Sequence, residues 1–155
     1  MMNKEKKQSY ISEMTTHFDK SEAVIVAHYQ GLTVNQLDEL RAKMREHGII
    51  FKITKNRITK LALEKTRCKE LSNLFAGPTA VALSQDAITS AKILTNFSKE
   101  NSNLKILGGI MGNDILDVVG VKNVATLPTL DEARAKIVGI LRSPAQKIAS
   151  IFLAP

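Results

Sequence analysis

Apolar residues follow a helical spacing at the start of the chain and then switch to an uninterrupted run. Ile11, Met14 and Phe18 recur at intervals of three and four, which predicts an amphipathic helix over residues 3–19. The run Ala-Val-Ile-Val-Ala at 23–27 is apolar at every position and rich in β-branched residues. Such a run favours a strand in the middle of a sheet, buried on both faces.

A capping box predicts where the second helix begins. Thr33 stands as N-cap with Gln36 three positions on, so that each side chain can bond the backbone of the other. Leu40 and Met44 continue the apolar stripe, and Gly48 is the residue type that ends a helix in a left-handed conformation. We therefore expect a helix from residue 34 to about residue 47.

Strands and helices continue to alternate through the middle of the chain. Residues 49–53 have the two-residue period of a half-buried strand, and Asn56 then opens a helix predicted to bury Ile58, Leu61 and Ala62. A further strand is expected at 79–83 after the Gly77-Pro78-Thr79 turn.

The pattern becomes less regular towards residue 127. Ser84 or Asp86 is expected to cap another helix, and a strand containing Leu104 and Ile106 is expected to end at Gly108-Gly109. Residues 110–127 are interpreted as an irregular loop with a short strand and helix. The alternation indicates an α/β (α+β) fold for residues 1–127, a sheet covered by helices.

Residues 128–155 are predicted to form a separate helical extension at the C-terminal end. A second capping box joins Thr129 and Glu132, the helix behind it is expected to stop near Arg142, and Ser143 and Pro144 are expected to start a last helix. Apolar residues at helical spacing run along this segment: Ile137, Ile140, Leu141, Ile148, Ile151 and Phe152. A stripe so close to the end of the chain predicts a partner that covers it.

Charge divides the chain into three parts. The formal net charge is +7, and residues 1–69 carry 14 Lys and Arg against 8 Asp and Glu. Residues 70–133 carry 4 against 7, and residues 134–155 carry 4 against none. Two basic regions around a mildly acidic middle predict two surfaces for anionic partners, unless the C-terminal excess only complements a helix end.

The strongest local signal is the basic segment from Lys52 to Lys69, which has seven Lys and Arg against the single acid Glu64. Packing the apolar side of its helix inward would present basic residues and a positively polarised helix N-terminus to a phosphate. Asn56 either caps this helix or contacts a base, with capping favoured. A solvated basic face with no partner is the alternative interpretation of the segment.

Signatures of catalysis and of metal binding are weak. Cys68 is the only cysteine, and His17, His28 and His47 have no metal-ligand spacing, so neither a metal, a cofactor nor a catalytic centre is expected. The N-terminus has no secretory signal, and no apolar run is long enough for a membrane span, so a cytoplasmic protein is expected. The Gly77-Pro78-Thr79 motif is equally consistent with a turn that only enters a strand and with an RNA contact.

Several fragments, in order and at compatible spacing, together resemble bacterial ribosomal protein ten of the large subunit. They are Tyr29-Gln30-Gly31-Leu32-Thr33, Leu40-Arg41, Lys55-Asn56-Arg57, Gly77-Pro78-Thr79-Ala80 and Leu127-Pro128. The resemblance implies a non-catalytic ribosomal protein at the base of the stalk. Its implied partners are large-subunit rRNA, the neighbouring ribosomal protein eleven, dimers of the acidic stalk protein and its own mRNA. Gln30 departs from the arginine that the family usually has in this loop.

Two sets of candidate residues follow. The expected RNA-binding residues are Lys4, Lys6, Lys7, Tyr29, Gly31, Lys52, Lys55, Asn56, Arg57 and Lys60. The expected stalk-protein-binding residues are Ile137, Ile140, Leu141, Ile148, Ile151 and Phe152. Two other hypotheses remain: a ribosome-assembly factor of the same family, which would lack the terminal helix, and a small α/β enzyme acting on a phosphorylated substrate.

Overall fold

The computed structural model describes residues 4–64, 66 and 68–153, with side chains described except at positions 4, 145–151 and 153. Six α-helices are found in these residues: α1 (Lys4–Lys20), α2 (Val34–Glu46), α3 (Asn56–Leu63), α4 (Ala87–Glu100), α5 (Val118–Thr126) and α6 (Leu130–Leu153). A short 3₁₀ helix spans Lys69–Leu74. The strands are β1 (Ala23–His28), β2 (Ile50–Ile53), β3 (Thr79–Ser84), β4 (Lys105–Met111) and β5 (Asp114–Asp117).

The strands form one antiparallel sheet in the order β2-β3-β1-β4-β5. The uniformly apolar strand β1 lies at its centre and pairs with β3 on one side and β4 on the other. All its residues are buried except the last, which is intermediate. The predicted central strand and the predicted α/β fold class are confirmed.

Helices cover both faces of the sheet because alternate residues of β1 point to opposite sides. Val24 and Val26 belong to a core with α1, α3 and the 3₁₀ helix. Ile25 and Ala27 belong to a second core with α2, α4 and α5. The basic helices α1 and α3 therefore share one face of the molecule.

The glycine pair lies inside β4 rather than at its end, so the predicted strand end at Gly108-Gly109 is wrong. A Cβ on Gly109 would lie 2.6 Å from the carbonyl oxygen of Val24, and one on Gly108 would lie 2.7 Å from that of Leu116. Both glycines are thus explained by the close approach of neighbouring strands, β1 and β5. In a sequence, a glycine pair is equally consistent with a turn and with a strand whose neighbours approach closely.

The capping box of α2 is confirmed. The Gln36 N–H donates to the Thr33 hydroxyl at 3.4 Å, and the Thr33 N–H donates to Oε1 of Gln36 at 3.0 Å. Gly48 follows the helix with a φ of 69°, as its predicted role at the helix end requires. This geometry fixes where α2 begins, directly after the loop that contains Tyr29 and Gly31.

The C-terminal segment is one continuous helix, so the predicted break after Arg142 and a new N-cap at Ser143 are wrong. Pro144 lies inside α6, where it lacks the N–H that would bond the carbonyl of Ile140. A proline in a helix interior costs about 3 kcal/mol, yet the apolar positions before and after it keep one helical register. The capping box at the start is confirmed: the Thr129 N–H donates to Glu132 at 3.0 Å and the Glu132 N–H to Thr129 at 3.4 Å.

Candidate nucleic-acid interface

A groove of about 840 Å³ lies at the end of the sheet where β1 and β2 finish and β3 begins. Half of the ten expected RNA-binding residues line it: Lys7, Tyr29, Lys55, Asn56 and Arg57. Residues outside that set complete the lining: Thr54, Ile58, Leu61, Gly77, Pro78 and Thr79. Elements distant in sequence thus bring a basic helix, the Tyr29 loop and the Gly77 turn to one place.

Asn56 does not cap α3, so the favoured interpretation of this residue is wrong. The N-cap position belongs to Lys55, and Asn56 is the first helical residue. The Asn56 amide nitrogen donates to the carbonyl of Gly77 at 2.7 Å, and its amide oxygen accepts a hydrogen bond from the hydroxyl of Thr79. Asn56 therefore fastens α3 to the turn on the opposite side of the groove.

The turn at Ala76–Thr79 is held from β1 as well. Nε2 of His28 lies 2.6 Å from the carbonyl oxygen of Ala76, and because a carbonyl only accepts, Nε2 carries the proton. The backbone N–H of Tyr29 donates to the carbonyl of Pro78 at 3.4 Å. The turn thus enters β3, as predicted, and also forms a fixed wall of the groove.

The N-terminal end of α3 is open towards the groove. Its N-cap, Lys55, makes no side-chain capping hydrogen bond, and the first turn contains no acidic residue. The amide groups of that turn carry a partial positive charge, to which the exposed residues Lys7, Lys55 and Arg57 add three full charges. This end of the groove suits a phosphate group.

The groove has an apolar side that the sequence interpretation missed. Leu61 was expected to be buried, but its side chain is 51% exposed. Thr59, Ala62 and Leu63 are the buried residues of α3 instead. Thr59 can be buried because its hydroxyl donates to the carbonyl of Lys55 at 3.1 Å. Leu61 lies about 200° further around the helix and therefore faces outward.

Lys52 is not among the residues that line the groove. Its ammonium group lies 2.5 Å from a carboxylate oxygen of Glu13 and 3.3 Å from Nε2 of His17, both on α1. The structure therefore ties Lys52 into an ion pair between the edge strand β2 and α1. Its role as an RNA contact stays a prediction.

Gly31, Lys6 and Lys60 are also not among the residues that line the groove. Gly31 is exposed with a φ of 89°, and its carbonyl accepts a hydrogen bond of 2.8 Å from the side chain of Asn103. Lys6 is exposed on α1 and Lys60 is half-buried on α3. The side chain of Lys4 lies outside the described residues, as do Lys65 and Arg67 of the basic segment.

We expect the ion pair of Glu13 to make stability depend on pH. The hydrogen bond and charge of Lys52, followed by the hydrogen bond of His17, hold the pKa of Glu13 below its ordinary value of 4.5. A carboxyl whose pKa is lower in the folded state contributes its full stability above the unfolded pKa and loses it as the pH falls through the folded pKa. Between about pH 6 and pH 3, the free energy of unfolding should therefore fall less in Glu13→Gln than in the wild type.

Urea unfolding at a series of pH values measures this difference. The matched control is Glu39→Gln on α2, a carboxylate for which no ion pair is found among the described residues. This control should keep the steeper fall of the wild type. Identical pH profiles for Glu13→Gln and the wild type would contradict the assigned ion pair.

A second candidate surface lies on α6. Ile137, Ile140 and Leu141 are 59%, 71% and 75% exposed, and Phe152 is 84% exposed. Every residue from 134 to 142 is exposed. Ile148 and Ile151 belong to the same helix, but their side chains lie outside the part of the chain that the structure describes.

The start of α6 is attached to the domain by an ion pair. Lys92 of α4 and Glu132 of α6 approach to 2.8 Å. Beyond this point Ile137, Ile140, Leu141 and Phe152 are exposed, so these four side chains do not fold back into either core. Arg134, Lys136 and Arg142 are exposed on the same helix.

Other chemistry is not found in the described residues. Among them, no group of three or more His, Cys, Asp or Glu side chains could hold a metal ion. The helices described here all lack the length and apolar character required to cross a membrane. Cys68 is buried to 1% exposure in the core beneath α1 and α3.

Comparison with known proteins identifies the family. Residues 2–99 match the model of the family described as Ribosomal protein L10. The chain is 71% identical over 153 residues to the large ribosomal subunit protein uL10 of Pelagibacter ubique, covering 99% of this chain and 92% of the relative. It is 45% identical to uL10 of Rhodospirillum rubrum over 99% of this chain and 90% of the relative.

The similarity also extends to Parvibaculum lavamentivorans, whose uL10 is 52% identical over 140 residues, 88% of this chain and 81% of the relative. The matches to the Pelagibacter and Rhodospirillum proteins cover 99% of the chain and so extend into α6, which lies beyond the part covered by the family model. The chain therefore belongs to the ribosomal protein L10 family, the uL10 proteins of the large ribosomal subunit.

Proposed function

We propose that this large-subunit protein is the base of the ribosomal stalk. In this proposal the groove between α1, α3 and the Gly77 turn binds large-subunit rRNA at the GTPase-associated centre. The helix α6 holds dimers of the acidic stalk protein, which recruit translation GTPases. The observation that carries the proposal is the physical separation of two cationic surfaces, one on the folded domain and one on an exposed helix.

The rRNA part rests on the convergence of charge at the groove. Lys7, Lys55 and Arg57 come from two helices and are exposed around the open N-terminal end of α3. Neutralising phosphates with such residues releases counterions and provides most of the affinity of a basic protein for RNA. Because Asn56 and His28 hold the groove wall in place, little ordering is needed when RNA binds.

The stalk part rests on the form of α6. The helix has 24 residues and is therefore about 36 Å long. At 100° per residue, Ile137, Ile140, Leu141 and Phe152 fall within an arc of roughly 120°, the width of the apolar face of an amphipathic helix. Exposed basic residues beside this face would steer an acidic partner onto it.

The family resemblance adds partners that no described contact identifies. We include the neighbouring ribosomal protein eleven and the protein's own mRNA in the proposal on that ground alone. The assembly-factor hypothesis is disfavoured because such a protein would lack the C-terminal helix that α6 provides. The enzyme hypothesis is disfavoured because Glu64 is the only acid between Lys52 and Lys69.

Titration of the wild-type protein with a large-subunit rRNA fragment tests the rRNA part. If Lys7, Lys55 and Arg57 each contact a phosphate, log affinity should fall with log salt concentration with a slope of about −2 to −3. A homopolymer of the same length and charge serves as the control and should bind more weakly at every salt concentration. An affinity that does not depend on salt would contradict the proposal.

A further inference from the structure

We propose that the groove holds one unpaired nucleotide of the rRNA, with its phosphate at the N-terminal end of α3 and its base against Tyr29. This inference rests on the proposed function and specifies the kind of RNA that the groove accepts. It predicts recognition of a bulged, looped or extruded nucleotide. A continuous duplex would not satisfy it.

The groove has a cationic end and an apolar side, which match the two parts of a nucleotide. Lys55 and Arg57 are exposed beside the open amide groups of α3. Tyr29, Leu61 and Pro78 provide an aromatic and aliphatic surface in the same groove. Leu61, which is 51% exposed, adds an apolar contact that a phosphate alone would not use.

Duplex RNA presents few groups that such a surface could contact. The major groove of an A-form helix is too deep and narrow for side chains, and paired bases are stacked on one another. Proteins that bind unpaired nucleotides combine cationic residues along the backbone with aromatic residues on which bases stack. Tyr29, together with Lys55 and Arg57, provides this combination of an aromatic ring and cationic residues.

The groove has room for a nucleotide, and hydrogen bonds fix its walls. Its volume of about 840 Å³ lies within the usual range of roughly 300 to 1,000 Å³ for ligand pockets. The Ala76–Thr79 wall is bonded to His28, Tyr29 and Asn56, and Asn103 holds the Gly31 carbonyl at the other side of the Tyr29 loop. The backbone position of Tyr29 is thus set before RNA arrives.

Tyrosine fluorescence provides a direct test, because the chain has no tryptophan and only two tyrosines. In the variant Tyr10→Phe, emission comes mainly from Tyr29. We expect a large-subunit rRNA fragment to quench this emission strongly, since a stacked base is an efficient quencher. The matched control is Tyr29→Phe, which keeps Tyr10, a half-buried residue packed against the core on α1. Its emission should change little when the same RNA binds.

Affinity measurements separate stacking from charge. Loss of a base–aromatic stack of about 1 to 3 kcal/mol corresponds to a roughly 5- to 150-fold weaker affinity in Tyr29→Ala. Tyr29→Phe should stay close to the wild type. The salt slope of Tyr29→Ala should equal that of the wild type, because no charge is removed, and its melting temperature should be retained.

The outcomes distinguish this inference from the proposed function. Tight, salt-dependent rRNA binding with no quenching of Tyr29 and unchanged affinity in Tyr29→Ala would overturn the nucleotide inference and leave the rRNA proposal standing. Equal affinity for the rRNA fragment and for a perfect duplex of the same length would also overturn it. Absence of rRNA binding by the wild type would overturn the proposed function itself.

Discussion

Removing residues 129–155 should abolish binding of the acidic stalk dimers while leaving rRNA affinity within about threefold of the wild type. The deletion removes α6, whose described apolar side chains Ile137, Ile140, Leu141 and Phe152 are exposed, and breaks the Lys92–Glu132 ion pair. An exposed ion pair contributes at most about 1 kcal/mol, so the melting temperature should change by only a few degrees. Among the residues whose side chains the structure describes, the groove is lined by none from this segment.

Pull-down with the acidic stalk protein, thermal melting and rRNA titration of the truncated chain measure these effects. The full-length variant Ile137→Ser/Ile140→Ser/Leu141→Ser should behave like the truncation in the pull-down. The control Ala135→Ser/Gly139→Ser changes the opposite side of the same helix and should bind the partner normally. A large fall in melting temperature with loss of rRNA binding would instead mean that α6 covers the core of the domain.

Replacing Lys55 and Arg57 together by alanine should weaken rRNA binding by on the order of 10- to 100-fold at 0.1 M salt. Each phosphate contact contributes about 1 kcal/mol at that salt concentration through counterion release. The slope of log affinity against log salt should become shallower by about 1.4 to 1.8. Electrophoretic or filter-binding titrations at several salt concentrations measure both values.

Lys99→Ala/Lys122→Ala is the matched control for this variant. It removes the same charge from the α4 and α5 side of the molecule, where both lysines line a different pocket. Its rRNA affinity should remain within about threefold of the wild type, since long-range charge is screened beyond about 10 Å at 0.1 M salt. Equal losses in the two variants would mean that net charge, rather than the groove, attracts the RNA.

The sequence predicted those elements whose signals are local. Thr33 and Gln36 satisfy each other within one helical turn, so their capping box required no information about the rest of the fold. The run at 23–27 is apolar at every position, which only a central strand of this sheet accommodates. In both cases the signal lies within a few consecutive residues.

Most of the failed predictions concern residues whose role is set by a contact with a residue distant in sequence. Asn56 is a good N-cap in isolation, but its amide binds Gly77 and Thr79 across the groove. Gly108 and Gly109 have the composition of a turn, but the nearby carbonyls of Leu116 and Val24 explain them. Pro144 failed for a local reason: proline is a favoured first residue of a helix, yet here it lies within α6, whose helical register continues past it.

The candidate RNA site was predicted by charge and motif, not by shape. Lys55 and Arg57 were identified from the basic segment, and the structure places them in the groove with Tyr29. The same reasoning grouped Lys52 with them, although Lys52 pairs with Glu13, a contact between residues 39 positions apart. Leu61 was missed because the buried hydroxyl of Thr59 shifts the apolar face of α3.

The claim that one chain carries two independent binding surfaces is tested most directly by simultaneous binding. The experiment mixes a labelled rRNA fragment with an equimolar amount of the wild-type protein and an excess of the acidic stalk protein. Sedimentation velocity then resolves the species that carry RNA. We predict one faster species that contains all three components and that is absent with the chain lacking residues 129–155. Release of the RNA from the protein as the acidic partner is added would mean that both compete for one surface, and would contradict the claim.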